Sequence, residues 1–122
     1  MACVGDGSYV FANPAACHHA GASLGLGLVT VIADNRVWNA VRRSTIAVYP
    51  EGHAAARSTM PLSSLDPAPD YPKLVEAYGG LGRHVEHPDE LAPALDAAFL
   101  AADSGRQAVV SVHCSYPDAA NH

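Results

Sequence analysis

The chain has 122 residues, 49% of them hydrophobic and 16% charged, with a formal net charge of −5. That length suits one domain, and the apolar content excludes a wholly disordered chain. Seven Lys and Arg against twelve Asp and Glu leave no basic stripe for nucleic-acid phosphates, Arg42-Arg43 being only a local spot, and the longest apolar run, Leu24 to Ala33, falls far short of the ~20 residues of a membrane helix.

No basic stretch followed by an apolar one opens the chain. Three cysteines, Cys3, Cys17 and Cys114, are an odd number without paired spacing, which suits free thiols in a reducing compartment. The expectation is a cytoplasmic protein with neither nucleic-acid nor membrane partners. Alanine makes up roughly a fifth of the residues, so many apolar positions carry little volume.

Met1 to Val4 reads as a short buried strand entering a glycine turn at Gly5-Asp6-Gly7-Ser8. Asn13 and Pro14 read as N-cap and first turn of a helix reaching Leu24. Leu28 to Ala33 is a β-branched run, predicted as a central strand buried on both faces. These elements make one βαβ unit, whose crossover is right-handed.

Arg36 to Tyr49 holds a short helix, and Pro50 to Pro69, rich in Gly, Ser, Ala and Pro, has no period. So long an irregular segment inside a domain is usually functional. Asp70 to Tyr78 is a helix closed by Gly79-Gly80, and Arg83 to Glu86 a short strand. A helix from Pro88 to about Ala102 places Leu91, Leu95, Ala98 and Phe99 on one core-facing stripe, and Ala108 to Val112 is a further strand. Helices alternating with unalternated apolar strands define an α/β fold, a three-layer sandwich around a mostly parallel sheet. The domain is expected over residues 1–116, with residues 117–122 a tail. Cys3 and Cys114 are read as strand-core residues and His18, His19, His53, His84, His87 and His113 as scattered over the surface.

The chemistry concentrates in Gly5-Asp6-Gly7-Ser8 and Asp34-Asn35, each at the carboxyl end of a predicted parallel strand, where open α/β sheets bind ligands. Asp6 offers an anionic oxygen and Asn35 a neutral amide oxygen, while the glycines let backbone N–H groups approach a ligand. With one main-chain carbonyl this is an incomplete oxygen shell, as used for Mg²⁺ when phosphate and water complete the octahedron.

GDGS followed by DN resembles the thiamin diphosphate motif of the acetolactate synthase, pyruvate decarboxylase and benzoylformate decarboxylase superfamily, with a gap slightly longer than usual. Pro69 to Gly79 resembles that family's PDF-x-KLAEAFG helix, His87 to Leu95 its PEEL-x-x-AL helix, and Gly105 to Cys114 its last strand. GDGSY-x-FANP-x-ACH and N-x-x-W-x-AVRR are similar to the acetolactate synthase-like members, and the match runs from about residue 3 to 116.

The resemblance implies a diphosphate-binding domain in which Asp6 and Asn35 coordinate Mg²⁺ by side chains and Val37 by its carbonyl, while Gly5, Gly7 and Ser8 line the diphosphate of thiamin diphosphate. Trp38 and Tyr9 are implied on the cofactor or substrate side. Asp34 stands where the family has its first Asn and adds a negative charge near an anionic ligand. Family members take their activating glutamate from a separate pyrimidine-binding domain, which these segments do not include. The implied protein is a fragment or split subunit of a 2-oxo acid decarboxylase or carboligase, truncated at its N-terminus. It would be completed by a homo-oligomer or a complementary pyrimidine-binding subunit, with apolar surface beside the first strand left for a partner. The rival reading is a non-catalytic oligomerisation or interaction module derived from such a domain.

Overall fold

A computed structural model describes residues 1–57 and 60–115, so the expected tail lies outside the described residues. Strands β1 (Ala2–Gly5), β2 (Val29–Asp34), β3 (Leu81–Val85) and β4 (Ala108–His113) form one sheet, all pairs parallel, in the spatial order β1-β2-β4-β3. Helices α1 (Asp6–Phe11), α2 (Pro14–Ser23), α3 (Asn39–Val48), α4 (Tyr71–Glu76) and α5 (Pro88–Asp103) make the connections.

Successive residues of β4 show how the layers stack, because neighbouring side chains on a strand point to opposite faces. Val109 packs with Ile32, Tyr9 of α1, and Tyr71 and Val75 of α4. Val110 packs with Val29, Val85 and the α5 residues Ala94, Ala98 and Ala101. The sheet is therefore covered on both faces at β4, which explains the continuous apolar run of that strand.

Several local readings change. The Gly5–Ser8 stretch is not a turn: Gly5 stays extended (φ −76°, ψ 155°) and α1 begins at Asp6. A carboxylate in the first turn suits the helix dipole, and burying Tyr9 anchors the helix to the sheet. Asn13 precedes α2 in the left-handed region (φ 53°), and its side chain makes no capping bond. Strand β3 starts at Leu81, two residues before the expected start.

On α5 the buried stripe is Ala94, Ala98 and Ala101, while Leu91 and Leu95 are half-buried and Phe99 is exposed. Small side chains let the helix lie close to the sheet and push the large ones to its flanks. Helix α5 spans β3 and β4 and reaches β2 only in part. Ala33 on β2 is consequently exposed, and Cys3 is exposed rather than core. Cys114, just past β4, is half-buried. Together with Val31, Leu91 and Val112 these residues line an open apolar groove of about 410 Å³. Among the described residues α3 packs against no other helix or strand and buries none of its own residues. No described helix is long and apolar enough to cross a membrane.

Candidate functional site

Strands β1 and β2 run in register, Gly5 beside Ala33, so Asp6 and Asp34 leave the sheet together at its carboxyl end. Asp6 is only 2% exposed. Its Oδ1 accepts the Gly7 N–H at 2.8 Å, and its Oδ2 accepts those of Asn35 at 3.1 Å and Arg36 at 2.6 Å. One carboxylate thus joins the β1–α1 junction to the loop after β2. Burial pushes the Asp6 carboxyl above the ordinary carboxylate range, the three N–H groups pull it back, and the nearby Asp34 carboxylate pushes it up again.

The loop is shaped by its own side chains and by the irregular segment. Asn35 Oδ1 accepts the Val37 N–H at 3.0 Å, and Arg36 adopts a left-handed φ of 59°. Val37 bridges Ser64, Trp38 donates its N–H to the Ser63 carbonyl at 2.8 Å, and Leu65 donates to the Arg36 carbonyl at 2.8 Å. The long stretch before α4 therefore props the loop that carries Asn35 and Val37.

Gly5, Asp6, Gly7, Ser8, Asn35 and Val37 all line one cavity of about 500 Å³. Its walls are completed by Trp38 and by four residues that the sequence reading missed: Phe11, Asn39, Ala40 and Val41. The missed signal is the helix: starting α1 at Asp6 puts Ser8 and Phe11 three apart on one face. Trp38 lies over Gly7, where an added Cβ would sit 2.9 Å from the indole Cε3. Asn39 lines the cavity, and its buried Oδ1 has no hydrogen-bond partner among the described residues.

Tyr9 is not at the cavity. It is buried beneath α1, its hydroxyl 2.6 Å from His18 Nε2 and its ring edge-on to Tyr71. His18 is accordingly a buried residue, not a surface one. Asp34 also lies outside the cavity lining; it is 8% exposed and faces a different cleft. Among the described residues its Oδ1 and the hydroxyl of the buried Tyr71 both lack hydrogen-bond partners. The Tyr71 hydroxyl is pushed up to about 12 by burial, with the Asp34 and Asp6 carboxylates acting in the same direction.

A parallel sheet whose strand ends bring a carboxylate, an amide side chain and glycine backbone to one cavity is built as an α/β ligand-binding domain. The family described as "Thiamine pyrophosphate enzyme, C-terminal TPP binding domain" matches residues 1–112, and the chain belongs to it. A probable acetolactate synthase of Mycobacterium bovis and the acetolactate synthase large subunit IlvG of Mycobacterium tuberculosis are each 36% identical to it over 87 residues. That alignment covers 71% of this chain and 14% of each relative.

Proposed function

We propose that this domain anchors the Mg²⁺-diphosphate end of thiamin diphosphate in an acetolactate synthase-like enzyme acting on a 2-oxo acid, by decarboxylation or carboligation. The observation that carries this reading is the single cavity that unites Gly5, Asp6, Gly7 and Ser8 with Asn35 and Val37. The residues fit the group. Asp6 and Asn35 side-chain oxygens and the Val37 carbonyl would hold the metal, and Gly5, Gly7 and Ser8 would receive the diphosphate. The bound cofactor supplies a carbanion and electron sink for the 2-oxo acid. This chain's residues bind and orient its charged end, and the Trp38 ring shields the Gly7 backbone from water.

Activation of the aminopyrimidine would come from a second, pyrimidine-binding domain, on a partner subunit or elsewhere in a longer chain. Support for a partner comes from α3, whose Val41, at the cavity, and Val48, at the end of the helix, face solvent, with Phe11 exposed at the cavity rim. The same exposed surface favours the second reading, an interaction module that no longer binds cofactor.

Thermal unfolding with and without Mg²⁺ and thiamin diphosphate separates the two. The first reading expects a saturable rise in Tm that needs both additions and is lost in Asn35→Ala, because a ligand bound only by the native state stabilises it. No rise at millimolar cofactor, together with a defined oligomer in light scattering, would establish the second.

A further inference from the structure

Beyond Asp34 the carboxyl ends of β2, β4 and β3 enclose a second cleft, of about 330 Å³. The chain leaves β2 toward the α4 face of the sheet and β3 toward the α5 face, with β4 between them. A reversal of this kind opens a crevice at the strand ends, the usual ligand position in parallel α/β sheets.

Three carboxylates, Asp34, Asp70 and Glu86, face one guanidinium there, and Arg36 is directed to Asp66 at 3.5 Å. Asp70 already has partners in Lys73 at 3.0 Å and His84 at 3.1 Å. Asp34 does not. It is more than nine-tenths buried, it lines the cleft, and its inward Oδ1 has no donor among the described residues. A buried carboxylate in that position calls for a cation or a hydrogen-bond donor. Ser111, 2% exposed, lines the same cleft, while Ala68, Pro69 and Val85 give it an apolar wall.

Among the described residues no three His, Cys, Asp or Glu side chains come together to hold a metal ion. The volume also exceeds what a bare ion fills. A polar end rich in acceptors and an apolar wall match a small organic cation whose N–H groups donate to oxygen. We propose that this cleft binds such a cation, an alkylammonium or amidinium group, with its charged end on Asp34 and Ser111.

The test is a titration of the ¹⁵N-labelled chain with propylammonium chloride, in parallel with tetramethylammonium chloride and KCl at equal ionic strength. Propylammonium should give saturable shifts of the Asp34, Glu86, Ser111 and His113 amides. Tetramethylammonium, which has the charge but no N–H, should not. Asp34→Asn keeps the side-chain shape and should weaken binding roughly tenfold or more; Ser111→Ala, a milder change, should weaken it less. Equal, unsaturating shifts with all three salts would overturn the site, as would unchanged affinity in both variants. A saturable response to K⁺ alone would reassign the cleft to an inorganic ion and overturn the organic ligand. The titration contains no Mg²⁺ or thiamin diphosphate, so its outcome is independent of the proposed cofactor site.

Discussion

The Tyr9 hydroxyl lies 2.6 Å from His18 Nε2, inside the helical layer that covers the Asp6 side of the sheet. On the other side of the ring, His18 Nδ1 lies 2.9 Å from Gln107 Oε1, and Gln107 Nε2 donates to the His18 carbonyl at 2.9 Å. An amide oxygen only accepts, so Nδ1 carries the proton and Nε2 accepts from the phenol. Three residues from α1, α2 and the approach to β4 thereby fix one another's orientation. Gly21 leaves room for this, since a Cβ there would lie 2.7 Å from the Gln107 amide.

Tyr9→Phe keeps the ring and removes the donor, leaving Nε2 buried and unpaired. Urea unfolding should show a loss of about 1–3 kcal/mol. A loss under about 0.5 kcal/mol, within the range of ordinary surface substitutions, would show that the bond contributes little.

Gly7→Ala sets a Cβ against the indole of Trp38, the single tryptophan, at 2.9 Å from Cε3. The ring forms a cavity wall and has room to move, so the domain should stay folded while its tryptophan emission changes. Gly82→Ala is the harsher change. Its Cβ would meet the Pro72 carbonyl oxygen at 2.7 Å, between β3 and α4, where backbone must yield. The expected cost at Gly82 is about 1–3 kcal/mol, larger than at Gly7. Equal melting temperatures for the two variants would contradict this ordering.

Asp6 has a structural role apart from any metal, because its two oxygens accept three backbone N–H groups. Asp6→Ala leaves those donors unpaired at a buried position. Without Mg²⁺ or cofactor it should lower stability by about 2–4 kcal/mol and open the 35–38 loop to limited proteolysis. Asn35→Ala removes one acceptor, for Val37, and should cost less. The prediction fails if both variants unfold at the wild-type denaturant midpoint.

Burial raises the hydroxyls of Tyr9 and Tyr71 to about 12, from an ordinary value of 10. The unfolded chain gives up these protons first. The stability linked to them is complete below pH 10 and is lost as pH rises toward about 12. Tyrosinate absorbance at 295 nm should show a late component coinciding with loss of far-ultraviolet ellipticity. Full ionisation of all five tyrosines before any unfolding would refute it.

The strands and the longer helices were legible because their apolar periods are local. Val29 to Asp34 and Ala108 to His113 carry the β-branched runs that a doubly covered parallel sheet requires. Helix α1 was not legible, since glycine and aspartate signal a turn, whereas the burial of Tyr9 that anchors Asp6–Phe11 to the sheet is a tertiary contact. On α5 spacing alone favoured leucines over alanines, whereas distance from the sheet decides which of them is buried. Each half of the cavity could be read from its own motif. What joins the halves could not, because the Asp6 carboxylate meets backbone N–H groups, which no residue type announces. The same holds for His18, whose partners lie in α1 and before β4.

Strand β4 is the last of the described strands in sequence, yet it lies between β2 and β3 in space. Before it is made, β3 has no neighbour, and β1 with β2 is a two-stranded ribbon, which is marginal in water. During synthesis the sheet can close only once residues 108–113 have left the ribosome. Until then the β4-facing edge of β2 and the whole of β3 wait unpaired, exposed to whatever binds nascent chains.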